Sequence, residues 1–367
     1  MLVAIAMSLE DQERTSTAAQ PPPPPSLLNV SRLFMNAIAE MGLEANGPKG
    51  TCLSFEDVVL LHGEPPSHGL FTTFGEDCDW LGRVLKGKTH ITLVRHDSDQ
   101  TRDTLRVTPH PKLVVIQPQI PDEGCFHAKL MILKFCNRGI VRVVISSCNL
   151  TPGDWEGMGQ IIFLADFPSV ASPVSSAFGR DLADVLSIFM SGAEVKDWVD
   201  CFDASSTKAR LVHSAPLTPN AVGLPLLHQR MREIVPELMT HPAKEIFATG
   251  SSLGMSLTNR WLSQFPGSVD GASNIKILFH SQSSVQFAGY AGLSGSDLLM
   301  LNPSALRSAS FARDKLYQLK WANSAREPLL SHCKMILWMG DDDQPLALYA
   351  GSANLTSSAW GTTSRPP

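Results

Sequence analysis

No CxxC pair occurs among the seven cysteines, and their number is odd. Cys52, Cys78, Cys125, Cys136, Cys148, Cys201 and Cys333 are scattered along the chain. That pattern argues against a disulfide framework and a thiolate zinc site, and it fits a reducing compartment. No apolar run approaches the length of a membrane span. The opening MLVAIAM is short and has no basic start, so no secretory signal is expected. Positive charge is not in excess: the formal net charge is −5 and the pI about 6.1. A nucleic-acid partner would therefore need a local basic groove. What is present is a chain of 367 residues, 43% of them hydrophobic, which is enough for two domains with substantial cores.

One stretch organises the rest. Gly124 to Gln160 contains His127, Lys129, Ser147, Asn149, Leu150, Thr151 and Trp155. The same seven residue types return as His332, Lys334, Ser352, Asn354, Leu355, Thr356 and Trp360, each displaced by 205 residues. Seven identities at one offset mark a two-fold internal repeat with a half-site in each half. A His and a Lys two residues apart on a strand point to the same face. A strand over residues 126–135, a turn at Asn137-Arg138-Gly139 and a strand over 140–146 form a hairpin, whose open end gathers His127, Lys129 and Asn149. Strands over 331–339 and 346–351, flanking a polar turn, do the same for His332, Lys334 and Asn354.

Elsewhere the pattern is punctuation and core. Residues 1–26, which include Pro21 to Pro25, are expected to form a disordered proline-rich tail. Helices are expected over 53–61, from Asp79 to near Gly87, and over 178–190, 195–202 and 224–238. Buried strands are expected over 89–94, 112–116, 161–164, 246–249 and 275–279, and a glycine- and serine-rich loop over 286–296. Arg83, Lys86, Lys88, Arg95, Arg102 and Arg106 fit either phosphate contacts or a solvated face. Pro216, Pro219, Asn220 and Gly223 punctuate a crossing segment, dividing the chain into a first domain at 27–216 and a second at 217–367. Strands and helices alternate in both, which gives an α/β class.

A His-x-Lys pair is a poor metal site, because a lysine ammonium has no free lone pair and no carboxylate completes the set. The doubled set suits an anion. Two lysines and two asparagine amides can surround the non-bridging oxygens of a phosphodiester and stabilise charge in its transition state. Two histidines suit in-line displacement: one attacks phosphorus, and the other protonates the leaving oxygen and then activates water. Neighbouring lysines lower a histidine pKa and favour a neutral nucleophile.

The doubled motif resembles the phospholipase D superfamily, and within it the tyrosyl-DNA phosphodiesterase 1 family. Ordinary phospholipase D motifs carry an Asp five residues after the Lys; here those positions are Lys134 and Met339, the departure typical of the DNA-repair branch. The blocks HAKLMIL…VRVVISSCNLTPGDWEGMGQ and SHCKMILW…YAGSANLTSSAWG carry the resemblance. Weaker echoes lie at Asp77 to Leu81, at Thr249 to Gly254 with Trp261-Leu262, and at Gly289 to Ser294, so that it spans residues 27–367. It implies two similar phospholipase D-like α/β/α sandwich halves, related by a pseudo-two-fold, with one composite site between them. It also implies a nuclear, monomeric DNA-repair phosphodiesterase that needs no metal or cofactor and has no membrane partner. The substrate would be single-stranded or duplex DNA whose 3′ end carries a phosphotyrosyl or related adduct, such as a topoisomerase I-derived peptide. By position, His127 would be the nucleophile forming a phosphohistidine and His332 the general acid and base. Lys129, Lys334, Asn149 and Asn354 would bind the phosphoryl oxygens, with Gln160 orienting the histidine of the other half. Thr249, Ser147 and Ser352 would line the substrate.

Three departures stand out. The family places an acidic residue that orients the nucleophilic histidine on a strand beyond Asn354, and the sequence has no counterpart in the 13 residues that follow Asn354. The family's DNA-stacking aromatic, four residues before the nucleophile, is Glu123, and Phe126 is expected to point to the opposite face. The family's lysine shortly after the second asparagine is Ser357. A DNA-end-binding relative without turnover, and a general phosphodiesterase of the superfamily, are the other functions compatible with the residues.

Overall fold

The computed structural model describes residues 2–8, 31–39, 43, 51–96, 112–118, 120, 124–215, 222–254, 257–281, 284, 289–290, 293–294, 299–301, 303–322, 324–327 and 329–361. The first half is built on an eight-stranded sheet of β2 (Ser31–Asn36), β3 (Cys52–Leu53), β4 (His68–Thr73), β5 (His90–Arg95), β6 (Leu113–Ile116), β7 (Leu130–Phe135), β8 (Ile140–Ser146) and β9 (Ile161–Pro168). Their order is β3-β2-β9-β8-β7-β4-β5-β6. Strands β7 to β9 read as nearly continuous apolar runs because both faces are covered. On one face α1 (Phe55–Val59), α2 (Cys78–Val84) and α3 (Pro152–Glu156) pack Phe55, Trp80 and Trp155 against Met131, Leu133 and Val144. On the other, α4 (Ala177–Leu186) and α5 (Gly192–Val199) pack Leu182, Val185 and Trp198 against Ile132, Val143 and Ile145. The one charge in β8, Arg142, is buried and paired: its Nε and Nη2 donate to Asp166 at 2.7 and 2.9 Å. Its Nη1 donates to the Asp57 and Val58 carbonyls, satisfying the end of α1. The β7–β8 turn closes on Gly139 at φ 61°, a left-handed conformation that favours glycine.

The second half is a seven-stranded sheet ordered β10-β1-β19-β18-β11-β13-β17. These are β1 (Leu2–Ser8), β10 (Arg210–Ser214), β11 (Glu245–Thr249), β13 (Ile275–Phe279), β17 (Leu316–Gln318), β18 (Lys334–Met339) and β19 (Pro345–Gly351). Two short ladders flank it: β12 (Ser252–Leu253) with β16 (Met300–Leu301), and β14 (Gly289–Tyr290) with β15 (Leu293–Ser294). The last of these lies inside the stretch expected to be loop. Strand β18 alternates, burying Lys334, Ile336 and Trp338 more deeply than the residues between them. Ile336, Trp338, Tyr349, Ile246 and Ile277 pack on Leu227 and Met231 of α6 (Leu224–Ile234) and on Trp261 of α7 (Asn259–Leu262). The internal repeat is a repeat of register. Leu130 pairs with Ile145, and Met335 with Ala350, each hairpin preceding its asparagine in the same way.

Two boundary expectations are corrected. Leu2–Ser8, assigned to the disordered tail, is a strand: Ile5 pairs with Leu211 of β10 on one side and Ala350 of β19 on the other. LVAIAMS is an apolar, β-prone run, and it closes a gap that would otherwise leave two unpaired edges. In the second sheet β1 occupies the position that β9 holds in the first, beside the second strand of the motif hairpin. The run Pro21 to Pro25 lies outside the described residues. Strand β10, placed in the first domain by a boundary at 216, belongs to the second sheet, because pairing with β1 and not chain order decides membership.

The halves meet along a small apolar seam of Ile161, Cys333 and Ala350, flanked by Leu33, Met35, Trp321 and Met335. Backbone pairing crosses it: Gly159 N–H donates to the Leu330 carbonyl and His332 N–H to the Gly159 carbonyl, both at 2.8 Å. A Cβ on Gly159 would sit 2.5 Å from the Trp321 ring, so this approach requires glycine. Ile5→Pro, which removes a ladder donor from a strand paired on both sides, is expected to cost about 1–3 kcal/mol in urea unfolding. A disordered tail would show no change.

Candidate active site

Both half-sites open at the seam. His127 and Lys129 stand just before β7 rather than on it, although the ladder reaches Lys129, whose carbonyl accepts from Ser146 N–H. Phe126 turns into the core and meets Phe189 edge-on, leaving His127 on the site face. His127 Nδ1 lies 3.1 Å from the Ser352 carbonyl of the other half. A carbonyl only accepts, so Nδ1 carries the proton and Nε2 the lone pair. Lys129 Nζ stands 3.3 Å from both ring nitrogens of His127.

The opposite half mirrors this across the seam. His332 Nδ1 lies 3.1 Å from Gln160 Oε1, and a backbone hydrogen bond ties the ring to Ser147. Gln160 is itself fixed: Ser147 Oγ donates to Oε1 at 2.6 Å, and its Nε2 donates to the Asp154 carbonyl at 3.0 Å. Again Nδ1–H faces an acceptor and Nε2 is the reactive nitrogen. Lys334 is fully buried, and its ammonium has no hydrogen-bond partner among the described residues.

The electrostatics follow from that burial. Burial lowers Lys129 to about 8. Burial, and then the Lys129 charge, push Lys334 well below the usual lysine range. Burial and the two lysines hold both His127 and His332 well below 6.5, so both rings are neutral at pH 7. Among the described residues no group of His, Cys, Asp and Glu could hold a metal ion.

The asparagines are held differently. Asn354 Oδ1 accepts from Ser251 N–H, Ser251 Oγ and Ser252 N–H, all at 3.1 Å, which leaves its NH2 as the available donor. Asn149 Nδ2 donates to both Asp154 oxygens at 3.2 and 3.3 Å, and its Oδ1 is buried without a partner among the described residues. Ser147 and Ser352, expected to line the substrate, are fully buried and instead support the histidines, chiefly through their backbones. Thr249 is also buried, at the end of β11 where it pairs with Met335. Glu123 lies outside the described residues. Of the basic stretch, Arg95 is paired with Glu76 at 2.6 Å and Lys86 donates to the Gly63 carbonyl, so neither is directed at the site.

Asp154 went unnoticed in the sequence. It sits at the third position of α3, whose N-cap Thr151 accepts from its N–H. Its carboxylate takes bonds from Asn149 N–H, Asn149 Nδ2, Thr151 Oγ1 and Gln160 Nε2, and Oδ1 lies 3.7 Å from His332 Nδ1. It is the nearby negative charge that raises both lysines against their burial. The signal was present in the repeat, whose corresponding residue is Ala359: Thr356 caps its helix in the same way without a carboxylate.

Two similar sheets joined at one duplicated His/Lys/Asn site define a phospholipase D-like α/β protein. The chain belongs to the tyrosyl-DNA phosphodiesterase family, whose model matches residues 34–366. It is 25% identical over 350 residues to tyrosyl-DNA phosphodiesterase 1 of Arabidopsis thaliana, covering 85% of this chain and 56% of that protein. It is 29% identical over 307 residues to a probable tyrosyl-DNA phosphodiesterase of Caenorhabditis elegans, covering 75% of this chain and 65% of that one. The chain thus spans less than two thirds of the length of either relative. Yeast tyrosyl-DNA phosphodiesterase shares the fold, with a TM-score of 0.68 at 19% identity over 92% of this chain and 87% of the yeast chain. A mutant form of the yeast protein gives 0.71 at 18% identity over the same shares.

Because Asp154 supports the lysine charges, Asp154→Asn is expected to move the alkaline limb of any activity at this site to lower pH. A pH–rate profile checks this; a purely structural role would lower the rate without moving the limb.

Proposed function

We propose that this chain hydrolyses 3′-phosphotyrosyl and related 3′-adduct ends of DNA through a covalent phosphohistidine. The observation that carries the reading is the pair of crossed contacts, His127 to Ser352 and His332 to Gln160, which bring two reactive Nε2 atoms and two buried lysines to one seam.

His127 Nε2 attacks phosphorus. The P–O bond to tyrosine breaks opposite it, and the tyrosyl oxygen takes a proton from His332 Nε2. Water then loses a proton to His332 and displaces His127, leaving a 3′-phosphate and a restored site. Lys129, Lys334 and the Asn354 amide stabilise the charge that builds on the phosphoryl oxygens. The asymmetry of the halves supports this division of roles. His332 has the Gln160 oxygen and the Asp154 carboxylate beside Nδ1, partners that favour an imidazolium. His127 has one carbonyl and a lysine, which favour a neutral nucleophile. A bound phosphodiester anion raises both histidines, giving His332 the proton its first role requires. The charge comes from lysines, so the reaction is expected to proceed in EDTA. A DNA substrate, a topoisomerase I-derived peptide as the adduct, a monomeric state and nuclear residence belong to the same proposal.

The deciding assay is a single-stranded oligonucleotide ending in 3′-phosphotyrosine, incubated with the protein in EDTA and resolved on a gel. Conversion to the 3′-phosphate supports the reading; no conversion by folded protein overturns it in favour of DNA-end binding without turnover. His127→Ala should lower turnover by more than ~10³-fold. His332→Asn should accumulate a covalent DNA adduct, and retained hydrolysis without adduct would remove His332 from its role. In kcat/KM, activity should fall steeply by pH ~8 at the latest, because free Lys129 loses its proton near there and burial and the Lys129 charge push Lys334 well below the usual lysine range as well. On the acid side it should keep rising as pH falls to 6.5, because both histidines of the free protein are neutral above that point and His332 must take up the proton that it donates.

A further inference from the structure

Two histidines outside the reacting set hold matching places in the two halves. Met131 of β7 pairs with Phe71 of β4, which pairs with Leu93 of β5. Ile336, the repeat counterpart of Met131, pairs with Ala248 of β11, which pairs with Ile277 of β13. Three residues beyond Leu93 stands His96, and three beyond Ile277 stands His280. They lie 184 residues apart rather than 205, because the segments leading from β5 and β13 to the motif hairpins differ in length. The sequence offset hides this correspondence and strand register reveals it.

Each ring accepts a backbone N–H. His96 Nδ1 accepts from Phe126 at 3.3 Å, and His280 Nε2 accepts from Ser331 at 2.7 Å. Phe126 and Ser331 are repeat counterparts, and each immediately precedes a reacting histidine. Successive N–H groups of an extended chain point to opposite sides. His332 N–H goes to Gly159 across the seam, so Ser331 N–H points back into its own half. The β11–β18 pairing reaches only Met335, and at Ser331 the ring supplies the acceptor that a strand would. A ring that accepts at this nitrogen is neutral, and burial keeps it so by lowering His280 to about 4. The halves differ in what else surrounds the rings. His96 stacks on Phe74, with centroids 5.1 Å apart and planes 18° from parallel, and Phe74 stands 5.4 Å from His127. In the second half register places Ser251, buried and bound to Asn354, at the Phe74 position. The accepted N–H is thus what the two arrangements share.

We infer that His96 and His280 are positioning residues, each fixing the backbone of a reacting histidine through the N–H that precedes it. This rests on the proposed reaction, in which each reacting Nε2 must lie in line with phosphorus or the leaving oxygen. Residues 331 and 332 are held from both sides, by His280 and by Gly159. Without His280 they are held from the seam side alone, and a shift of ~1 Å at a reacting group costs about 10²-fold in rate.

The test follows from which nitrogen accepts. A glutamine carbonyl reaches as far as Nε2, and an asparagine carbonyl as far as Nδ1. His280→Gln should therefore keep the bond, whereas His280→Asn and His280→Leu should lose it; at His96 asparagine and glutamine exchange places. The first readout needs no turnover. In substrate-free protein labelled with 15N-histidine, nitrogen shifts should show the His332 ring in one tautomer, protonated on Nδ1, in the unmodified protein and in His280→Gln. Mixed tautomers should appear in His280→Asn and His280→Leu. The second readout is kinetic, on the phosphotyrosyl oligonucleotide. His280→Asn and His280→Leu should lose about 10²-fold in kcat with KM held within about twofold, and His280→Gln should return to within about threefold. The same tautomer signature in all three His280 variants, whether intact or mixed, overturns the inference, because the acceptor then decides nothing. An unchanged kcat in His280→Leu also overturns it. If the unmodified protein does not turn over, the proposed reaction fails and the tautomer series still decides the positioning role.

Discussion

Two ammonium groups buried side by side constrain the whole site. Taking a charge out of water costs several kcal/mol even after relaxation, and a second like charge adds to that. Lys129 is nine-tenths or more removed from solvent and Lys334 wholly so, with Asp154 as their nearby carboxylate. The sheets on either side must therefore be stable enough to hold an arrangement that opposes folding. The paired Arg142–Asp166 system and the tryptophan-rich cores behind each hairpin provide that support. The outcome is a concentrated positive field in a dry seam, suited to an anion that relieves the repulsion with little rearrangement of the donors.

The two halves agree where geometry is needed and differ where the chemistry must be directional. Each hairpin delivers a histidine and a lysine in the same register, and each histidine meets a backbone carbonyl from the other half. A strictly symmetric site would give both histidines the same proton affinity and no reason for one to act as acid. Asp154 against Ala359, and Phe74 against Ser251, break that symmetry on the His332 and His127 sides of the seam. One sets charge beside His332 and the other offers a face beside His127.

The hairpins, the offset of 205 and the histidine and lysine pairs were legible because they depend on local spacing. The long helices were legible from their apolar stripes. Strand β4 was not, because HGLFTT lies between β5 and β7 with five of its six residues buried and shows no alternation. Ser147 and Ser352 were read as substrate contacts from their place in the motif, whereas it is largely their carbonyls, which residue identity does not reveal, that do the holding. Asp154 needed convergence to be seen. Its carboxylate gathers Asn149, Thr151, Gln160 and His332 only once the two sheets meet. Leu2–Ser8 was lost to the proline run that follows it, since a short apolar strand beside low-complexity sequence carries no periodic signature of its own.

That strand has a consequence for how the molecule is made. The backbone of Ile5 pairs with that of Ala350, so the second sheet is completed by a pairing that spans almost the whole chain. Contacts of such separation carry the largest loop-closure entropy and form late. Until then the edges of β10 and β19 are open templates for any extended segment, including one from a neighbouring molecule. The kinetic hazard of this protein thus lies at the edges of its second sheet rather than at its buried histidines and lysines, and crowded, fast synthesis is the condition that would expose it.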